Sequence, residues 1–222
     1  MRPALLLAAA LALLAAGCGG SSKSAATTTT ATTTAAVGAN GCRTVEQPAT
    51  GERHEPKPTK QLDPSKTYRI TFSTTCGDFT VLLAAKTAPN AAASFVSLAR
   101  KGFFDKTIFH RIVPGFIIQG GDPTASGAGN PGYTTVDPPP ASARYTHGVV
   151  ATAKTQAEAP GTSGSQFFVV TAPDAGLPPD YAILGKVVSG LDVVDRIGRL
   201  GDQATEQPTQ VVAIERATVS ER

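Results

Sequence analysis

Histidine and cysteine are scarce, three of each in 222 residues, and tryptophan is absent. His54, His110 and His147 are too scattered to suggest a metal cluster, so zinc chemistry is a poor fit and no metal is expected. Charge is thin: 17% of residues are charged, with 20 Lys and Arg against 17 Asp and Glu. The resulting +3 is not gathered into the basic patch or stripe that nucleic-acid binding uses, and no nucleic-acid partner is expected. Long apolar runs are also missing, because Ala4 to Ala16 offers only about thirteen residues where a membrane-crossing helix needs about 20. With 41% hydrophobic residues the chain is neither collagen-like, coiled-coil nor wholly disordered, and its length suits one domain or one domain plus a tail.

The short apolar run follows Arg2 and ends in Leu14, Ala15, Ala16 and Gly17 directly before Cys18. It reads as an export signal. Small residues placed before a cysteine resemble the lipobox of bacterial lipoprotein precursors, where the cysteine is acylated and the chain cut before it. On that resemblance residues 1–17 are a signal peptide, Cys18 is the lipidated mature N-terminus, and the protein is extracytoplasmic and held to the bacterial membrane by lipid alone. The alternative is a plain secretory signal in which Cys18 merely follows the cleavage site. Residues 18–61 carry seven threonines in Thr27 to Thr34, several prolines and no apolar periodicity, which predicts a disordered tether. Cys42 and Cys76 remain as either two free thiols or a disulfide. Outside the cytoplasm an even number favours the bridge, which would staple Gly41 to Pro48 onto the domain.

Residues 62–222 are long enough for one core. Tyr68 to Phe72 alternates apolar with polar and, after Cys76, Gly77 and Asp78, is followed by Phe79 to Leu83, a hairpin signature. Further strand candidates are Thr107 to Val113, Phe116 to Gln119, Gly148 to Ala153, Gln166 to Thr171, Ala182 to Val188 and Val211 to Val219, eight in all. Two helices interrupt them, one with Thr87 as N-cap and Pro89 in its first turn running to Gly102, the other near Leu191 to Ile197. The pattern is mainly β and fits a barrel, although a sandwich uses the same signals.

Gly127, Gly129 and Gly132 match GxGxxG, but Pro131 and Pro138 to Pro140 preclude the helix a dinucleotide site needs. Ser163 and Ser165 do not form GxSxG, and Gly185 and Lys186 lack phosphate-loop spacing. The informative stretch is FHRIVPGFIIQGGD, Phe109 to Asp122: a strand, a Pro-Gly turn, a second strand and a glycine loop. Period 2 sets Ile117 and Gln119 on one face with Arg111 on the strand before, and Gln166 with Phe168 on one face of another strand. Two amides, an arginine and aromatics can thus meet over an apolar pocket.

That stretch, SGSQFFV (Ser163 to Val169), LGKV (Leu184 to Val187) and the APxxxxxF helix of Ala88 to Phe95 together resemble the cyclophilin family of peptidyl-prolyl isomerases over most of Thr67 to Val219. The resemblance implies a closed eight-stranded antiparallel barrel capped by two helices, acting on proline-containing flexible polypeptides without metal or cofactor. It implies Arg111 as the catalytic arginine, with Phe116, Ile117, Gln166, Phe168 and Leu177 lining or bordering the proline pocket. Gln119 would hydrogen-bond arginine or peptide, and Gly127, Ala153, Lys154 and Thr155 would hold the substrate backbone and the residue before proline. Three departures stand out: Gly176 falls where many eukaryotic members keep tryptophan, Tyr181 replaces histidine, and Lys154 replaces asparagine ahead of a longer loop, Gln156 to Pro160. They bear on cyclosporin-type drug binding more than on catalysis. The expected function is isomerisation of Xaa-Pro bonds in extracytoplasmic folding, by a monomer. The alternative is a scaffold that grips proline peptides with little turnover.

Overall fold

The computed structural model describes residues 37–222. The expected signal peptide, the lipidation site Cys18 and tether residues 18–36 lie outside the described residues. In chain order the elements are β1 (Tyr68–Thr74), β2 (Gly77–Leu83), α1 (Pro89–Arg100), β3 (Thr107–Ile108), β4 (Arg111–Val113), β5 (Ile117–Gly120), β6 (Thr135–Val136), β7 (Val149–Thr152), β8 (Thr162–Ser163), β9 (Phe167–Val170), β10 (Ile183–Ser189), α2 (Leu191–Gly198) and β11 (Ala213–Glu221).

Alternation builds the sheet as the sequence predicts. In β1, Tyr68, Ile70 and Phe72 are buried while Arg69 and Thr71 are not fully so. The hairpin puts Phe72 opposite Phe79, and the two rings stack 5.2 Å apart. Phe72 also stacks on Phe167 of β9 at 5.0 Å, across the core. Helix α1 adds Ala91, Ala92, Phe95, Leu98 and Ala99, a stripe at helical spacing, to this same core.

The sheet itself differs from the expected closed eight-stranded barrel. It is an open half-barrel of nine strands in the order β3-β11-β1-β2-β10-β7-β9-β5-β4, with β6 and β8 as a separate ribbon. The cause lies in the segment expected as one strand from Thr107 to Val113. It breaks at Phe109 and His110, so that β3 pairs with β11 while β4 pairs with β5. The two end strands are therefore consecutive in the chain, and no ladder joins them.

The start of α1 also differs. Ala88, not Thr87, holds the N-cap position, and it makes no side-chain cap. Asp137, 46 residues downstream of Ala91, does the work instead. Its buried carboxylate accepts hydrogen bonds from the Ala91 amide (2.6 Å), the Asn90 amide (3.3 Å) and Asn90 Nδ2 (2.9 Å). Pro89 has no amide to satisfy, so this one carboxylate covers the free donors of the first turn.

Residues 43–61, expected within a disordered tether of which only the part up to Pro48 would be stapled down by a bridge, form no helix or strand yet lie strapped to the domain. A disulfide joins Cys42 to Cys76, both buried. Beyond it, the Arg43 amide donates to Thr75 O (2.8 Å), Gly51 to Pro123 O (3.0 Å) and Glu55 to Pro131 O (2.9 Å). Arg53 reaches the carbonyls of Phe103 and Asp105, and Lys57 Nζ that of Thr134 at 2.9 Å. Apolar periodicity could not signal this, because backbone amides and charged tips make the contacts. The folded unit thus includes residues from Cys42 onward rather than starting at Leu62.

Candidate active site

Strands β4, β5, β9 and β7 lie side by side, and their pleat sends alternate residues to opposite faces. Ile112, Ile118, Val169 and Val150 point into the main core. The intervening residues form rows on the other face: Arg111 pairs with Gln119, Gln119 with Phe168, and Phe168 with Ala151. One step along, Val113 pairs with Ile117 and Ile117 with Val170. A second apolar cluster forms here from Val113, Ile117, Val149, Ala151, Phe168 and Val170, with half-buried Phe116, Leu177 and Tyr181 packed against it. The cationic end of Arg111 thus shares a face with an aromatic and aliphatic wall.

Hydrogen bonds run through the polar part of this face in one direction. Arg111 Nη1 lies 3.4 Å from Gln119 Oε1, Gln119 Nε2 donates to Gln166 Oε1 at 3.0 Å, and Gln166 Nε2 donates to the carbonyls of Gly127 (2.8 Å) and Gly129 (3.0 Å). Each amide is fixed because its oxygen and its NH2 face different partners. At the other end Arg111 Nε donates to Glu206 Oε2 at 2.6 Å. This contact holds the Glu206 carboxyl below the ordinary carboxylate range.

The glycine loop is organised by Asp122. Its buried carboxylate accepts from the Thr124 amide and hydroxyl (both 2.7 Å), the Gly127 amide (2.6 Å) and the Gly129 amide (3.2 Å). Burial pushes this carboxyl up, but the four donors outweigh it and hold it below the ordinary range. Gly129 is obligatory, because a Cβ there would lie 2.0 Å from Asp122 Oδ1. With Gly127, Ala153, Thr155 and Gln166 the loop walls a groove of about 540 Å³ beside the apolar cluster.

Of the peptide-site residues read from the sequence, Gln119, Gly127, Ala153, Lys154, Thr155 and Gln166 line the groove. Phe116, Ile117, Phe168, Leu177 and Tyr181 belong to the apolar cluster or pack against it, and Arg111 stands at the end of the row beside Gln119. Lys154 lines the groove but does not offer it a free cation. Its side chain is 3% exposed, paired with Asp180 at 2.7 Å, and its Nζ also donates to the Thr155 and Glu158 carbonyls. The loop after Thr155 makes this possible: Glu158 folds back and accepts from the Thr155 amide at 2.7 Å. Tyr181 stands edge-on to Phe168, ring centroids 5.4 Å apart.

Sequence reasoning missed Tyr145, Glu206 and the roles of Asp122 and Asp180. Tyr145 is fully buried, and its hydroxyl donates to Tyr181 O (2.7 Å) while accepting from the Tyr181 amide (3.0 Å), which fixes the wall beside Phe168. It stands alone in a proline-rich stretch, where no periodicity marks it. Asp122, at the end of a glycine run, was the one with a signal, since an acid there commonly organises a turn.

Residues 69–219 match the family model described as cyclophilin type peptidyl-prolyl cis-trans isomerase/CLD. Peptidyl-prolyl cis-trans isomerase-like 1 of Aspergillus oryzae is 38% identical over 156 residues, covering 68% of this chain and 95% of the relative. Peptidyl-prolyl cis-trans isomerase CYP18-2 of Arabidopsis thaliana is 36% identical over 154 residues, 68% of this chain and 92% of the relative. Among solved structures, a cyclophilin type peptidyl-prolyl cis-trans isomerase of Cryptosporidium parvum superposes with a TM-score of 0.64 at 29% identity, over 69% of this chain and 98% of that one. The same protein solved in the presence of the dipeptide Ala-Pro gives a TM-score of 0.63.

Proposed function

Because the chain belongs to the cyclophilin-type peptidyl-prolyl cis-trans isomerase family, we propose that this isomerase turns Xaa-Pro bonds of flexible polypeptides through Arg111, outside the cytoplasm and anchored by lipid. Rotation about such a bond meets a barrier of about 18–20 kcal/mol because amide resonance resists twisting. No proton need move. As the bond twists, the proline nitrogen regains its lone pair, and a guanidinium N–H of Arg111 donates to it, favouring the twisted state over the planar one.

A rise from about 0.01 to about 1,000 per second is five decades, roughly 7 kcal/mol. One charge-assisted hydrogen bond supplies about 1.5–3 kcal/mol of this. The remainder comes from seating the ring on Phe116, Ile117, Phe168 and Leu177, while the groove fixes the flanking peptide and removes water that favours the planar amide. The observation that carries the reading is the direct row of Arg111, Gln119 and Phe168 across three strands.

Prolyl exchange measured by NMR on an Xaa-Pro peptide tests it. Fast exchange that is lost in Arg111→Ala, with a native circular dichroism spectrum, supports catalysis through this arginine. Peptide binding without faster exchange would make the protein a scaffold instead.

The cellular setting rests on the export pattern of residues 1–17, on Cys18, and on the Cys42–Cys76 bridge, a pairing suited to oxidising compartments. The protein acts as a monomeric bacterial lipoprotein that assists folding of exported chains. Labelling cells with a fatty acid checks this: incorporation must disappear in Cys18→Ala, and incorporation that persists would refute anchoring at that residue.

A further inference from the structure

We propose that Glu206 is a positioning residue for Arg111, gripping the guanidinium at Nε and leaving its terminal nitrogens to meet the proline nitrogen. This rests on Arg111 being the catalytic group. Arg111 opens β4, the last strand of the sheet, whose outer edge has no strand partner among the described residues. Glu206 comes to that edge from the loop between α2 and β11 and meets two consecutive residues. Its backbone oxygen accepts from the Ile112 amide at 2.9 Å, and its carboxylate accepts from Arg111 Nε at 2.6 Å.

The loop is built to present this residue. An isolated bridge between Gly201 and Pro208 closes its neck. Asp202 Oδ1 accepts from the amides of Ala204 (3.0 Å) and Thr205 (2.8 Å), and Asp202 O accepts from the Glu206 amide at 2.8 Å. Glu206 itself sits at φ 58°, where an L side chain is strained and glycine is the default residue. An acid thus occupies a position whose backbone suits glycine.

The contact is the tighter of the two that hold the guanidinium, since the Gln119 oxygen lies 3.4 Å from Nη1. Arginine carries one N–H on Nε and four on its terminal nitrogens. Fixing Nε orients the planar fork without consuming the terminal donors, and so reduces the freedom lost when the twisted bond is met. The hydrogen bond from Arg111 also lowers the carboxyl's proton affinity, so the acceptor is ionised at neutral pH.

Glu206→Gly and Glu206→Gln in the full chain test the idea. The glycine variant keeps the carbonyl bond to Ile112 and suits the local φ, so thermal stability is expected to hold or rise. Its kcat on an Xaa-Pro peptide is expected to fall about tenfold with KM within about twofold. The glutamine variant, which retains an oxygen for Nε, is expected to recover part of that loss. In the wild type the Arg111 Nε–H resonance is expected at a hydrogen-bonded, slowly exchanging position that Glu206→Gly abolishes. A glycine variant turning over within twofold of wild type, or an unmoved Nε–H resonance, overturns the proposal. If Arg111→Ala also turns over normally, the premise falls with it; if Arg111→Ala is inactive, the role of Glu206 alone is refuted.

Discussion

Replacing Cys42 and Cys76 together by alanine separates the covalent hold on the strap from its hydrogen bonds. The bridge spans a sequence separation of 34 residues. Loop-closure entropy for that length corresponds to about 4 kcal/mol. Both sulfurs lie in the main core, so their loss adds about 1 kcal/mol of unfilled space. The expected destabilisation is about 4–5 kcal/mol, and at about 2–4 °C per kcal/mol for a domain of this size the Tm falls by about 10–20 °C. Circular dichroism in urea is the suitable assay, since the chain has no tryptophan for fluorescence. The m-value should rise as well, because an unfolded chain without the cross-link exposes more surface. Turnover at 25 °C should be unchanged, because Arg111, Gln119 and Phe168 sit on strands that do not pair with the β1–β2 hairpin. A loss below about 1 kcal/mol would refute the entropic argument. Lost activity in the folded variant would refute the separation of strap from site.

Gly129→Ala places a Cβ 2.0 Å from Asp122 Oδ1 and 2.8 Å from Thr124 Oγ1. The loop must shift, so KM for a proline peptide should rise about tenfold with a smaller change in kcat, and an unchanged KM would show that this wall does not hold substrate. Asp137→Ala uncovers the Asn90 and Ala91 amides and should cost about 1–2 kcal/mol in urea unfolding. A loss of a few tenths would mean that water replaces the carboxylate. Burial lowers the proton affinity of His110, whose two ring nitrogens have no hydrogen-bond partner among the described residues. The unfolded chain therefore takes up a proton near pH 6.5 that the folded chain resists, and stability should fall as pH drops from about 7.5 to 5. His110→Phe should flatten that slope, and equal slopes in both proteins would exclude His110 as its source.

Alternation made β1, β2 and the face of β4, β5 and β9 legible, because a pleated strand writes its two environments into successive residues. Ile117 with Gln119, and Gln166 with Phe168, could be placed together for that reason. The break at Phe109 and His110 could not, since both residues are buried and read as a continuous strand. Single residues acting over long separations were equally silent. Asp137 caps a helix that begins before it, Tyr145 holds Tyr181, and Glu206 meets Arg111 from 95 residues away. Lys154 was recognised as a departure, but its pairing with Asp180 depends on how the following loop folds.

The two ends of the open half-barrel bear on how this fold meets other extended chains. An edge strand with free amides and carbonyls is a template on which another extended chain can add, and it is a common start of aggregation. Here β3 is met at Ile108 by Asp122, and β4 at Ile112 by the Glu206 carbonyl. Both edges are only two or three residues long. Among the described residues neither end therefore presents a long unbroken ladder for an extended backbone to add to, and under the proposed function a client would engage through proline in the groove rather than along an edge.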